Sequence, residues 1–224
     1  MTLVNPLPFG AEIDAEHVWC QVLTRPPARP AQPALFLDRD GVIVEEVHYL
    51  HKVEDTRLVP GATDAIRRAN ERGLPVVMVT NQAGIGRGIY DWPEFISVQE
   101  HILNELAAAG AFLNAVFACP HHDNGRAPYH GRDHEARKPN PGMLLRAADR
   151  LAIDVAASWI VGDRSGDVGA GRNAGLAGGI HVLSGHGNDA GERAGSEAYA
   201  STDYRVLTAN SIADAWPQIP LLAD

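Results

Sequence analysis

Two aspartates one residue apart, Asp38 and Asp40, follow the apolar run Leu35-Phe36-Leu37 and precede Gly41. Three apolar residues running into carboxylates read as a buried strand and its C-terminal end. Strand alternation by itself would send the two side chains to opposite faces. A turn at Gly41 instead lets both lean toward the strand's C-terminal edge, where open α/β sheets place their ligands. There one carboxylate can attack while the other handles protons.

Three more polar groups follow apolar strands or open helices: Thr80-Asn81, Lys138, and Asp163 with Asp167. In a parallel sheet all strand C-termini face one edge, so these groups can converge there. Carboxylates gathered in this way suit a hard cation such as Mg²⁺. A hydroxyl, backbone amides and a lysine beside that cation suit a phosphoryl group, whose charge must be spread during transfer. A carboxylate nucleophile forming an aspartyl-phosphate divides that transfer into two easier steps.

The elements that must carry these residues alternate. Helices are expected over Pro60–Arg72, Trp92–Ala109, Pro141–Leu151, Asp167–Ala174 and Ile212–Trp216, with Gly73, Gly110 and Gly175 as stops. Strands are expected at Leu35–Leu37, Pro75–Val79, Ala115–Ala118, Ser158–Val161, Gly179–Leu183 and Tyr204–Leu207. Near-continuous apolar strands between helices imply a mainly parallel sheet buried on both faces, a Rossmann-like three-layer α/β sandwich. Residues 1–33 stand apart as an N-terminal arm, and residues 34–224 form the main domain. The arm ends in the Pro-rich connector Arg25–Pro33, whose four prolines exclude helix and central strand. Upstream of it, Ile13, Val18, Trp19, Val22 and Leu23 fit one short amphipathic element packed on the domain surface.

Charge narrows the function classes. With 19 Lys and Arg against 28 Asp and Glu, the net charge is −9, a poor match for nucleic acid or an anionic membrane. No apolar run approaches the roughly 20 residues of a membrane span, and the first residues lack a secretory pattern. Cys20 and Cys119 need no disulfide, so a cytoplasmic protein is expected.

Asp38-Arg39-Asp40-Gly41-Val42, Thr80-Asn81, Lys138-Pro139 and Gly162-Asp163-Arg164-Ser165-Gly166-Asp167 resemble, in order, the four motifs of the haloacid dehalogenase-like phosphohydrolases. The resemblance spans roughly 34–216. It implies that Asp38 is the nucleophile and that Asp40 is the general acid, then the base activating water. It implies Mg²⁺ held by Asp38, the backbone carbonyl of Arg39 and Asp163, with Asp167 ordering a metal-bound water or Lys138. Thr80, the Asn81 backbone and Lys138 would hold the phosphoryl oxygens. Only 41 residues separate Asp38 from Thr80 and 57 separate Thr80 from Lys138, so no large cap domain is expected. The site is covered at most by loops 45–55 and 119–136.

The stretch Thr80–Gly88, with glycines at 84, 86 and 88 that let backbone approach a ligand, looks like that of the heptose 1,7-bisphosphate 7-phosphatases and the related histidinol-phosphate phosphatases. So do Cys119-Pro120-His121-His122 and Arg137–Met143. The Gly-Ile-Gly-Arg-Gly form resembles the heptose enzymes more closely. By this likeness the substrate is a small phosphorylated sugar, and Arg137 holds it beside Lys138. Arg87 either does the same or braces its loop. Those subfamilies carry a structural zinc held by Cys-x-His and Cys-x-Cys arms. Here Cys119 and His121 keep the first arm, while His134 and Ala136 occupy the two cysteine positions of the second. His134 can bind zinc and Ala136 cannot; the alternative is a solvated loop that has lost its metal. Three other functions share parts of this pattern. They are a histidinol-phosphate phosphatase, a polynucleotide 3′-phosphatase, and a weakly catalytic metal- or phosphate-binding protein.

Overall fold

The computed structural model describes residues 7–24, 30–131 and 133–222. Most of the Pro-rich connector, 25–29, lies outside the described residues.

The strands are β1 (Ala11–Ile13), β2 (Trp19–Val22), β3 (Leu35–Leu37), β4 (Val76–Asn81), β5 (Ala115–Cys119), β6 (Trp159–Gly162), β7 (Gly178–Val182) and β8 (Arg205–Ala209). They form one sheet in the order β1-β2-β5-β4-β3-β6-β7-β8. From β5 to β8 every pair is parallel. The helices are α1 (Ala62–Glu71), α2 (Ala83–Arg87), α3 (Trp92–Ala108), α4 (Gly142–Leu151), α5 (Ser165–Ala174), α6 (Glu192–Glu197) and α7 (Ile212–Ala215).

Period-two alternation builds the three layers. Leu35, Leu37, Val76 and Met78 pack on one face with Ile66 of α1, Phe95 of α3 and Ile212 of α7. Phe36, Val77 and Val79 pack on the other with Met143 and Leu144 of α4 and Val168 of α5. Both faces are covered, which is why the strands read as unbroken apolar runs.

The chain runs outward from β3 through β4 to β5, then returns to place β6 on the other side of β3. The strand order reverses between β3 and β6, and that reversal opens a crevice at their C-terminal ends. Leu37 is in register with both Met78 and Val161, so Asp38, Thr80 and Asp163 come to the C-terminal edge of the sheet at nearly the same level.

The N-terminal segment departs from the expectation of one amphipathic surface element. It forms two strands, and β2 pairs antiparallel with β5 from Trp19↔Ala118 to Val22↔Ala115. Trp19 is fully buried and stacks on Trp92 at 5.6 Å, while Val18 and Cys20 enter the opposite core layer. Both faces of β2 are covered, so its residues carry no one-sided periodicity to read. Cys20 and Cys119 are free thiols. Among the described residues no helix is long and apolar enough to cross a membrane.

Candidate active site

Asp38 begins where β3 ends, and its amide donates to the Val161 carbonyl at 3.0 Å. The chain then turns sharply. Gly41 adopts φ +78°, and its amide donates to Val44 at 2.7 Å. A side chain at 41 would clash with Asp163, since a Cβ there would stand 2.5 Å from Oδ2. Gly185, at φ +56°, approaches from the loop after β7, where a Cβ would lie 2.3 Å from the same oxygen. Two glycine turns therefore close on Asp163, whose Oδ2 accepts the His186 amide at 2.7 Å.

Lys138 reaches the centre from the loop before α4. Its Nζ donates to Asp38 Oδ1 at 2.8 Å, Asp167 Oδ1 at 2.6 Å and the Val79 carbonyl at 2.8 Å, using all three ammonium protons. Its backbone is pinned by the Asn81 side-chain amide, which accepts from Lys138 N and donates to Lys138 O, both at 3.1 Å. Asp167 sits in the first turn of α5, where its other oxygen accepts the Arg164 amide at 2.9 Å. Thr80 is buried at the end of β4, and its Oγ1 accepts from Gln82 Nε2 at 2.7 Å.

Three buried carboxylates face one ammonium. Ligand oxygens of Asp38, Asp163 and Asp167 lie within 4.8 Å of one another, the one such group among the described residues. Burial and then the neighbouring Asp167 hold Asp38 above the usual carboxylate range, against the pull of Lys138. Burial and then Asp38 push Asp163 up as well. Burial works against the Lys138 ammonium, but Asp167 and Asp38 outweigh it and keep its pKa above the ordinary value. This surplus of buried negative charge in oxygen donors fits a hard divalent cation.

One expected donor is unavailable. The Arg39 carbonyl accepts from the Ile43 and Val44 amides at 2.9 and 3.0 Å, with Val42 at 3.4 Å, so the turn consumes it. Among the described residues the Asp40 carbonyl accepts no hydrogen bond. The strand-end pattern predicts a turn here, but not which carbonyl the turn leaves free.

Asp38, Asp40, Thr80, Asn81, Arg137, Lys138, Asp163 and Asp167 line one cavity of about 380 Å³. Arg164, Gln82 and Tyr90 line it too, as do Glu46, His48 and Tyr49 from the loop after β3, and His122 and His186. Glu46, His48, Tyr49 and His122 belong to the loops 45–55 and 119–136 expected to cover the site, whereas Gln82, Tyr90 and His186 carry no such expectation. Gln82 follows Thr80-Asn81 directly, and His186 follows the end of a strand, so position alone marks both.

Arg87 does not line this cavity; its guanidinium donates to the Tyr49 hydroxyl and lies 5.5 Å from that ring. Gly84 and Gly86 both allow close approach to protein, although Gly84 also lines the cavity. A Cβ at 84 would meet the Tyr90 ring at 2.0 Å, and one at 86 the Pro120 carbonyl at 2.1 Å. Nor do Cys119, His121 and His134 gather as a ligand set among the described residues. Cys119 belongs to a core layer, and burial pushes its thiol up to about 12. The His121 and His134 rings stack at 3.6 Å, and His121 Nε2 bonds the Glu16 carbonyl at 2.7 Å. The N-terminal hairpin engages one His121 ring nitrogen, while His121 Nδ1 and His134 Nε2 are buried without a hydrogen-bond partner among the described residues.

Fold and site together define a Rossmann-like α/β protein with buried carboxylates and a lysine gathered at a sheet's switch point. A family model described as HAD-hydrolase-like matches residues 135–215. A D-glycero-beta-D-manno-heptose-1,7-bisphosphate 7-phosphatase of Mesorhizobium japonicum is 45% identical over 71% of this chain and 74% of its own length. The enzyme of that name from Yersinia pestis is 38% identical over 81% of this chain and 92% of its own. A HAD-like phosphatase structure from Mesorhizobium loti superposes with a TM-score of 0.79 at 38% identity, covering 98% of both chains. A B. bronchiseptica D,D-heptose 1,7-bisphosphate phosphatase, solved with magnesium and phosphate, gives 0.69 at 29% identity over 86% of this chain and all of its own. The chain belongs to the haloacid dehalogenase-like hydrolases, and within them it is a phosphatase.

Proposed function

We propose that this phosphatase is Mg²⁺-dependent and removes the 7-phosphate of a heptose 1,7-bisphosphate through an aspartyl-phosphate on Asp38. One observation carries the reading: the Asp38–Lys138–Asp167–Asp163 cluster lines the same cavity as two further cationic residues, Arg137 and Arg164.

Asp38 Oδ attacks phosphorus and the bond from phosphorus to the C7 oxygen breaks. Asp40 gives its proton to the departing sugar oxygen. Asp40, now a carboxylate, takes a proton from water. That water attacks phosphorus, the bond from phosphorus to Asp38 breaks, and inorganic phosphate leaves. Thr80, the Asn81 backbone and Lys138 hold the phosphoryl oxygens, and Asp167 keeps Lys138 in place. The Asp38 and Asp163 carboxylates and the Asp40 carbonyl would hold Mg²⁺, which when bound offsets phosphoryl charge that would otherwise repel the nucleophile. Arg137 and Arg164 are planar forks suited to the second phosphate. The relatives' names support this substrate.

The test is a phosphate-release panel with and without Mg²⁺ on heptose 1,7-bisphosphate, histidinol phosphate and a 3′-phosphorylated oligonucleotide. The heptose is expected to have the highest kcat/KM, with activity lost in EDTA and restored by Mg²⁺. Preference for either other substrate overturns the assignment.

Two variants probe the parts. Gly185→Ala forces Asp163 off its position and is expected to weaken Mg²⁺ activation about 10–100-fold, read as the metal concentration for half-maximal rate. Arg137→Ala is expected to raise KM for the bisphosphate by about 10–100-fold through loss of charged hydrogen bonds. KM for a monophosphate should move far less, because that substrate has no second phosphate to lose.

A further inference from the structure

The Arg39 side chain is buried at 1% exposure, although nothing in the proposed reaction uses it. Burying a guanidinium is costly unless it is paired and hydrogen-bonded. Its partner is Asp40, the neighbouring residue. Nε donates to Asp40 Oδ1 and Nη2 to Oδ2, both at 3.0 Å, a bidentate fork that fixes the carboxylate plane. Asp40 keeps 21% of its side chain exposed and lines the cavity.

A second restraint comes from the residue after β4. Gln82 Nε2 reaches Asp40 Oδ2 at 3.3 Å while holding Thr80 Oγ1 at 2.7 Å. The Gln82 carbonyl oxygen accepts from the Tyr90 hydroxyl, which turns the NH₂ end of the amide toward Asp40. Burial holds the Tyr90 hydroxyl well above its usual pKa, so it stays protonated and able to donate. Phe95 lies 5.9 Å from the guanidinium carbon and the Leu50 carbonyl 3.5 Å from Nη2, so Arg39 is itself held.

We propose that Arg39, Gln82 and Tyr90 form a positioning clamp that aims the Asp40 carboxyl at the leaving-group oxygen. The inference rests on Asp40 being the general acid. Oδ2 accepts from both Arg39 and Gln82, which leaves Oδ1 to carry the proton that the departing oxygen receives. Such aim matters because a misplacement of about 1 Å can cost on the order of 10²-fold in rate. Arg39, Gln82 and Tyr90 need not touch the substrate for this effect.

Acid assistance matters for a departing alkoxide and hardly at all for a nitrophenolate, which separates aim from general damage. The test measures kcat/KM, which reports only steps through the first irreversible one, across monoesters from alkyl phosphates to p-nitrophenyl phosphate. Asp40→Asn is the reference and is expected to give a steep dependence on leaving-group pKa. Arg39→Met is expected to follow it, losing about 10²-fold with alkyl esters and less than about fivefold with p-nitrophenyl phosphate. Arg39→Lys, which can supply one donor, should recover part of that loss. Tyr90→Phe keeps the ring stacked on His51 and removes only the hydroxyl. It should fold even if Arg39→Met does not, and should show the same leaving-group selectivity at smaller size. Equal losses across all leaving groups in the clamp variants, beside a steep dependence in Asp40→Asn, overturn the clamp. A flat dependence in Asp40→Asn overturns the acid assignment and the clamp with it.

Discussion

Asp38→Asn is expected to lower turnover by on the order of 10⁴-fold or more, the scale seen when a covalent nucleophile is removed. The variant should remain folded. Asparagine keeps an acceptor for the Arg39 amide, which donates to Asp38 Oδ1 at 2.7 Å. Lys138 keeps Asp167 and the Val79 carbonyl. Removing one of three buried carboxylates also relieves the repulsion that pushes Asp163 up. Thermal unfolding in EDTA should therefore occur at or above the wild-type temperature. Phosphate release with saturating Mg²⁺ supplies the other half. A variant that keeps a tenth of wild-type activity would remove Asp38 from the nucleophile's role.

Lys138→Met should cost nearly as much in rate, and it should also cost stability. Among the described residues the lysine is the single cation bonded to Asp38 and Asp167, and its side chain is 2% exposed. Without it the phosphoryl oxygens lose a donor, worth about 10²–10³-fold on the scale of oxyanion contacts. The carboxylates lose their ammonium, and stranding buried charge costs about 3–5 kcal/mol. The metal-free variant should melt well below the wild type. Added Mg²⁺ should then raise its melting temperature more than it raises that of the wild type, because the cation meets carboxylates that no lysine offsets. Equal Mg²⁺ shifts in the two proteins would mean that lysine and metal do not share these oxygens. Comparing unfolding with and without Mg²⁺ separates this effect from loss of catalysis.

Much of the machinery is legible in the amino-acid sequence. Asp38, Asp40, Thr80, Lys138, Asp163 and Asp167 each follow an apolar strand or open a helix, and a parallel sheet brings such positions to one edge. Residues 11–22 form two strands where the pattern suggests one surface element, and within the motifs the differences concern which groups of a segment are free. The motif offers the Arg39 carbonyl to a metal, but the Ile43 and Val44 amides occupy it. The glycine spacing over 84–88 suggests a ligand cradle, yet Gly84 and Gly86 accommodate Tyr90 and Pro120. Sequence leaves Arg87 open between substrate and brace, and its guanidinium lies on Tyr49.

Residue pattern along the chain determines the layered fold, the order of the motifs and the carboxylate chemistry at strand ends, because period and side-chain chemistry are local properties. Contacts between residues distant in the chain decide the rest. Trp19 is a core residue because Trp92 and Phe95 cover it. His121 is engaged by the hairpin because Glu16 folds over it. Gln82 faces Asp40 because Tyr90 turns its amide. Periodicity reports which side of an element is apolar, but not which distant group will meet it. A hydrogen bond depends on position within a few tenths of an ångström, and only the packed tertiary structure sets distances that finely.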